Sequence, residues 1–368
     1  MRLRDLKLTN YRNCKDLGLN LESKKILIIG KNAQGKTNIL ESIYFLSTLK
    51  TPRTSNNIEL INFDAEKAEI NCNMLKAETD VELDYTYSRE KKRELAINKV
   101  KTTPKNFKSV LKTVLFSTAD LLLLRGNPSD RRDWLDRAIS QVYPAYDDRL
   151  SKYDKIRIQK NNLLKDYLKT GNLNETLLDV YNEQLVITGS NIIYLRIKFL
   201  KEIERIASEK HHIISETEKL EIKYDCSFLN METELEAIAS AFHQSLVERK
   251  IEEARRGQAC VGPHRDDIIF YINGNEATKF ASQGQQRTVV LALKLSELDI
   301  ITAKTGDEPV LLLDDVLAEL DDLRQNYLLK SISENTQTII TSVDTVLFEE
   351  EFLKDVKIYK IENGCISS

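Results

Sequence analysis

Apolar residues along the chain follow three rhythms, and each predicts a different kind of element. Ile26-Leu27-Ile28-Ile29 and Val310 to Leu313 are apolar throughout. A strand without a polar face has to be covered on both sides, as the central strands of parallel sheets are. Arg2 to Leu8 (RLRDLKL), Ala68 to Met74 (AEINCNM) and Val81 to Tyr87 (VELDYTY) alternate instead. Alternation predicts half-buried strands, the first of them an edge strand leading into Asn10-Tyr11-Arg12-Asn13. A further strand is expected at Leu17 to Leu21, so the N-terminal third predicts one mixed sheet. Asp267 to Ile272 (DIIFYI) restores the strand pattern late in the chain, and Asn273-Gly274 after it is a hairpin dipeptide.

The third rhythm steps by three and four. Ile39, Leu40, Ile43, Leu46 and Leu49 predict a helix over Asn38 to Leu49. Asn127-Pro128-Ser129 reads as a helix start with Ser129 as N-cap, followed by Trp134, Leu135, Ala138, Ile139, Val142 and Tyr143 on one face. Leu178 through Leu185, Ile192, Phe199 and Ile206 predict one long amphipathic helix with a seam for a partner helix. Lys169 to Asn172 is the reversal before it, and Glu232 to Arg256 supplies a third run. These helices predict an arm, about residues 120–261, inserted between two parts of one domain, 1–119 and 262–368.

Composition narrows the class. With 368 residues and 41% hydrophobic content the chain can build ordinary cores. No apolar stretch reaches the roughly 18 residues of a membrane helix, and Met1 to Asp5 lacks a signal-peptide core, so a soluble cytoplasmic protein is expected. Five scattered cysteines, with no C-x-x-C pair, fit a reduced compartment. A net charge of -3 means that any nucleic-acid surface must be a segregated patch. The most basic segment is Arg89 to Lys112, which suits a phosphate backbone and a plain solvated face equally well.

The chemistry centres on Gly30 to Thr37, GKNAQGKT, which satisfies G-x-x-x-x-G-K-[ST] between a predicted strand and a predicted helix. A glycine turn there lets backbone N-H groups and the helix dipole face a phosphate. Lys36 reaches the terminal phosphates and Thr37 ligates magnesium. The second apolar strand ends in Asp314-Asp315, where ligands of α/β sheets bind. Asp314 is expected to hold magnesium opposite Thr37, and Asp315 to orient or deprotonate a water. Gly262 to Asp267 (GPHRDD) is a polar cluster whose His264 reads as a satisfied loop histidine and not a metal ligand.

Ser282 to Arg287 (SQGQQR) resembles the ABC-type ATPase signature, with Ala281 and Gln283 in place of its Leu and Gly, and Ala318 to Asp321 resembles a D-loop. With Asn10 to Asn13, the P-loop, Gly126-Asn127-Pro128, GPHRDD and LLLDDVLAELD (Leu311 to Asp321), the chain resembles the RecF family of SMC-like ATPases along its whole length. That resemblance implies an α/β fold, an ABC-type P-loop ATPase head with an inserted α-helical arm. It implies ATP and Mg2+ as cofactors. The nucleotide would be held by Gly30, Lys31, Asn32, Ala33, Gln34, Gly35, Lys36, Thr37 and Asn38 with Arg12 and Asp314, and in trans by Ser282, Gly284 and Gln285 of a second copy. It further implies an ATP-dependent homodimer on duplex DNA near single-strand gaps, working with RecO and RecR to load RecA in DNA repair and the SOS response. Asp315 replaces the usual Glu, and Val343 stands where relatives carry a switch histidine, which together point to slow hydrolysis. A transporter-type ATPase lacks such an arm, a DNA-bridging SMC protein needs a much longer coiled coil, and a small-molecule kinase has no use for SQGQQR.

Overall fold

A computed structural model describes residues 1–54, 56–90, 92–230 and 233–367. Lys91 of the basic segment and Glu232 at the start of the third helical run lie outside the described residues. Contacts divide the chain into two compact units, residues 1–122 with 287–368, and residues 123–286.

The first unit opens with the hairpin β1 (Arg2–Tyr11) and β2 (Cys14–Asn20), then β3 (Lys25–Ile29) and α1 (Lys36–Thr48). Next come β4 (Lys67–Lys76), β5 (Thr79–Ser88), β6 (Arg93–Ile97), β7 (Val100–Lys101), α2 (Pro104–Val110) and β8 (Thr113–Ser117). The alternating strands do not join the all-apolar ones in one mixed sheet. They make an antiparallel sheet of their own, ordered β2-β1-β4-β5-β6-β7. A period of two buries only one face, so these strands cover the core from one side, whereas β3 needs cover on both.

In the second unit α3 (Pro128–Val142), α4 (Tyr146–Thr170) and α5 (Glu175–Ser215) are followed by β9 (Leu220–Asp225), α6 (Leu235–Glu248) and α7 (Lys250–Arg256). β10 (Asp267–Ile272), β11 (Asn275–Glu276) and α8 (Ala277–Phe280) complete it, and α9 (Gln283–Thr305) carries the chain back. β10 pairs antiparallel with β9 over six residues, from Asp267 opposite Asp225 to Ile272 opposite Leu220. The second crossing therefore falls at 286/287 and not at 261/262, because this pairing holds the late strand in the arm unit. Asn127, not Ser129, caps α3: proline fits the first helical position, where its missing N-H costs nothing, and the Asp130 carboxylate accepts the Asn127 N-H at 2.7 Å. The long helix is longer than its stripe, with 41 residues in α5.

The returning chain adds β12 (Val310–Asp314), α10 (Asp322–Ser331), β13 (Thr338–Ser342), α11 (Glu350–Leu353), β14 (Val356–Glu362) and β15 (Cys365–Ser367) to the first unit. Its second sheet is ordered β15-β14-β3-β13-β12-β8, parallel except for β15. Side chains of α1 (Ile39, Ile43, Phe45) share one core with Leu3, Ile70 and Tyr85 of the first sheet and Ile26, Leu312 and Ile339 of the second. Burying each such aliphatic side chain contributes about 1.5–3 kcal/mol. This core fixes the end of α1, and with it the P-loop, against the C-terminal ends of β3, β12 and β13.

Candidate nucleotide site

The P-loop joins β3 to α1 in a conformation its sequence permits. Gly35 caps α1 at φ 109°, in the region that favours glycine, and a side chain there would meet Asn13 at 2.9 Å. Gly30 passes so close to β14 that an added Cβ would stand 2.5 Å from the Ile361 carbonyl oxygen. Lys36 is 3% exposed, and its Nζ donates to the carbonyls of Gly30 at 2.8 Å and Lys31 at 3.3 Å. Asn32, Ala33, Gln34, Gly35, Lys36, Thr37 and Asn38 line one side of a cleft of about 820 Å³.

Asp314 at the end of β12 and Asp315 after it both meet this loop. Asp314 Oδ1 accepts hydrogen bonds from Thr37 Oγ1 at 3.0 Å and Thr341 Oγ1 at 2.9 Å. Burial pushes the Asp314 carboxyl above the usual carboxylate range, although both hydroxyls and Lys36 pull it back. Asp315 lines the cleft with an Oδ2 3.7 Å from Lys36 Nζ, while its Oδ1 is buried without a hydrogen-bond partner. Its backbone is left-handed at φ 51°, held by its N-H donating to Thr341 Oγ1 at 2.9 Å. Thr341, on β13, thus positions both acids, a role the sequence did not signal.

Arg12, expected at the nucleotide, lies against α1. Its guanidinium is spent on Glu41 of α1, bidentate at 2.6 and 2.7 Å, and the cationic side chain lining the cleft from this side is Arg53. A polar chain joins that rim: Arg53 donates to Asn38 Oδ1 at 2.8 Å, Asn38 to Asn13 Oδ1 at 2.7 Å, and Asn13 to the Gln34 carbonyl at 3.3 Å. The β14–β15 turn closes on the same loop tip. Asn363 N-H donates to Gln34 Oε1 at 2.7 Å, and Gly364 N-H to the Gln34 carbonyl at 2.9 Å. Among the described residues Gln34 is the single glutamine of the cleft lining, and the loop after β8 contributes Thr118. Val343 lines the cleft beside Ser342 and Asp344.

The signature residues lie in the second unit, at the start of α9. Ser282 and Gln285 cap it reciprocally, with Ser282 N-H donating to Gln285 Oε1 at 2.8 Å and Gln285 N-H to Ser282 Oγ at 3.3 Å. Gln285 Nε2 also donates to Glu218 at 2.7 Å, and Gly284 sits in the first turn. Arg287, in the first unit, pairs with Glu319 of the 318–321 segment at 3.0 Å. Three cations of the basic segment have acids beside them: Lys92 pairs with Glu90, Lys99 with Glu82 and Asp84, and Lys101 with Glu94. Arg89 caps the carbonyls of Asn62, Phe63 and Ala65. His264 is the satisfied histidine expected, its ring nitrogens engaged by Tyr153 Oη at 2.7 Å and the Ala259 carbonyl at 3.3 Å. No described helix is long and apolar enough to cross a membrane.

Comparison with known proteins meets this geometry. The family model described as RecF/RecN/SMC N terminal domain matches residues 2–367. The chain is 38% identical to DNA replication and repair protein RecF of Bacillus velezensis and 37% identical to that of Bacillus subtilis, in each case over 100% of both chains. Among solved structures it is similar to the recombination mediator protein RecF-ATP of the RecFOR pathway, with a TM-score of 0.91 and 34% identity over 100% of this chain and 97% of that one. It is also similar to the Smc head domain of Pyrococcus furiosus bound to the C-terminal domain of ScpA, with a TM-score of 0.55 and 15% identity over 100% and 95%, a likeness of fold alone. An ABC-type ATPase head carrying an inserted helical arm, matched from end to end, places the chain in the RecF/RecN/SMC N-terminal domain family, on its RecF branch.

Proposed function

We propose that the chain is an ATP-gated DNA-binding protein of gap repair, a recombination mediator. The observation that carries this reading is the convergence of Lys36, Thr37, Asp314 and Asp315 at one cleft, in a chain that matches DNA replication and repair proteins over its full length. The residues fit ATP. Lys36 rests on carbonyls of its own loop, neutral acceptors that a phosphate oxygen outcompetes, and one Asp315 oxygen is buried with no donor. Thr37 and Asp314 are the residues to hold Mg2+; among the described residues no group of three or more His, Cys, Asp or Glu side chains could hold a metal, so the ion's other ligands are phosphate and water. When bound, the ion neutralises charge on the phosphate oxygens.

The protein's own groups do the rest. Residues 32–37 present N-H groups to the phosphates, Lys36 holds the γ-phosphate, and Asp315 orients the attacking water and accepts its proton. Arg12 acts through Glu41, steadying α1. Asp315 is one methylene shorter than Glu, and Val343 offers no hydrogen bond to a γ-phosphate, so turnover is slow. Two copies close around ATP, with Ser282, Gly284 and Gln285 of one copy facing the nucleotide of the other. The closed dimer holds duplex DNA beside a single-strand gap, and with RecO and RecR promotes RecA loading in the cytoplasm. The likeness to the RecF-ATP structure of the RecFOR pathway supports ATP as the nucleotide and that pathway as the setting.

The test is fluorescence anisotropy of a gapped duplex titrated with protein in ATP and in ADP, at two salt concentrations, for wild type and Ser282→Arg. Tighter binding in ATP alone, weakened by salt and lost in the variant, is the expected result. Binding indifferent to nucleotide and to Ser282→Arg would sink the gating model.

A further inference from the structure

The GPHRDD segment takes no part in the P-loop chemistry, yet its conformation is costly to build. Gly262 has φ 123°, and a Cβ there would stand 2.3 Å from Tyr153 Oη and 2.9 Å from the Phe242 ring. The turn this glycine permits, with Arg265 N-H donating to the Gly262 carbonyl at 2.8 Å, seats His264 on Tyr153 and leaves Arg265 exposed. Arg132 of α3 and Arg157 of α4 join Arg265 around a cleft of about 430 Å³ in the arm unit. All three guanidinium groups are near enough to oppose protonation of His264.

The acids of this cleft do not balance its cations. Asp136 is spent on Arg196 and Tyr146, and Asp266 accepts from Tyr224 at 2.5 Å. Asp154 engages Arg157 at 3.0 Å from a half-exposed position, and Asp133 stands at the exposed rim. Arg132 and Arg265 each donate a single hydrogen bond, to the backbone carbonyls of Asp266 at 2.7 Å and Ala259 at 3.2 Å. Those acceptors are neutral, and both arginines line the cleft together with Arg157. With Arg196, the lining holds four arginines against Asp133, Asp136 and Asp154, an excess of positive charge that an entering anion reduces. Guanidinium forks converging from three elements match the oxygens of a tetrahedral oxyanion, and each can bind it in bidentate fashion.

We propose that this arm cleft is a binding site for a phosphate group, with Arg132, Arg157 and Arg265 as its ligands and His264 lining it beside them. The phosphate comes either as a free phosphate or phosphomonoester, or as a phosphodiester of a nucleic-acid backbone. The chain has four histidines, so the His264 ring can be followed by NMR in full-length protein labelled at histidine. The measurements use a Lys36→Ala background, which removes the P-loop's own phosphate ligand. Sodium phosphate is titrated against sodium chloride at matched ionic strength, and in a second arm a 12-base-pair duplex is added.

A saturable shift of the His264 resonance, at least tenfold weaker in Arg132→Gln and in Arg265→Gln, is expected with one or both probes. A response to phosphate identifies the free anion as the source, and a response to duplex alone identifies the backbone. Arg265→Lys keeps the charge without the fork and should recover only part of the affinity. In each unliganded variant, a retained NOE between the His264 and Tyr153 rings confirms that their contact survives. No response to either probe, or a response that persists in both Gln variants, overturns the proposal.

Discussion

Two buried cation–carboxylate arrangements, one in each unit, are built on opposite plans. In the arm, Arg196 is complete: it meets Asp136 at 2.9 and 2.8 Å through two nitrogens, the Pro263 carbonyl at 2.6 Å and the Tyr146 and Tyr224 hydroxyls at 3.2 and 3.3 Å. In the nucleotide cleft, Lys36 meets two backbone carbonyls and stands 3.7 Å from Asp315, whose other oxygen has no partner at all. Burying a charge is tolerable only when its hydrogen bonds are made. A finished network therefore marks a part of the molecule that holds itself together, and an unfinished one marks a place where something from outside finishes it.

Breaking the finished network has the largest effect. Arg196→Leu leaves Asp136 buried without its cation and should cost about 3–5 kcal/mol, read from the denaturant midpoint. Arg196→Leu combined with Asp136→Leu should recover most of that loss. If the double variant is as unstable as the single, charge completion is not what the arm depends on. The cleft should respond in the reverse sense. Lys36→Ala removes a charged donor from the phosphates, weakening a fluorescent ATP analogue by roughly 1.5–3 kcal/mol, about 10- to 150-fold, while stability without nucleotide moves by less than about 1 kcal/mol. A large loss of apo stability would instead make Lys36 a structural residue.

The smallest effect is a pH dependence inside the arm. Burial, with nearby arginines adding to it, lowers His264 from 6.5 to about 3, so between these values the unfolded chain binds a proton that the folded chain does not. Stability from this group falls as pH falls through that window. Burial raises Asp266 from 3.8 to about 6, so there the folded chain binds the proton first and stability rises as pH falls. Each has a limiting slope of about 1.4 kcal/mol per pH unit, and between about pH 4 and 6 the two oppose each other. Asp266→Asn should therefore expose an acid loss in urea midpoints at pH 4.5, 5.5 and 7, and His264→Gln should make stability rise as pH falls from about 6 to 4.5. Identical profiles for wild type and Asp266→Asn would show that the two groups do not compensate.

What was legible in the sequence follows the range of the interaction. The P-loop, its flanking strand and helix, and the acids after Val310 to Leu313 are local patterns whose chemistry dictates their spacing, and the cleft brings them together. The Asn273-Gly274 hairpin was equally local. α4 was harder to see because its buried positions are Tyr146, Tyr153, Ile156, Lys160 and Leu164, and Lys160 is buried only by virtue of Glu253, 2.6 Å away on α7. The β9–β10 pairing, which moves the second unit boundary, joins residues that no periodicity links. One signal was available and unread: Glu41 lies among Ile39, Leu40 and Ile43, and a carboxylate on a buried helix face requires a cation, which Arg12 supplies. Thr341 and the Asn363-Gly364 turn carried no such mark, since each matters only through a distant partner: Asp314, 27 residues away, and Asp315, 26 residues away, for Thr341, and Gln34, 329 residues from Asn363, for the turn.

That turn also sets an order of events in time. The P-loop is made early in translation, yet the strands that flank β3 and the Gly364 N-H that holds Gln34 are made roughly 300 residues later. At about 5–20 residues per second the loop waits on the order of 15–60 seconds for its neighbours. Throughout that interval the early sheet and the arm segments can fold on local contacts, while β3 remains an apolar strand with both edges open. Until nearly all of the chain has left the ribosome the loop therefore lacks the strands that hold it in place, and the apolar strand beneath its most recognisable motif stays open to pairing with other chains.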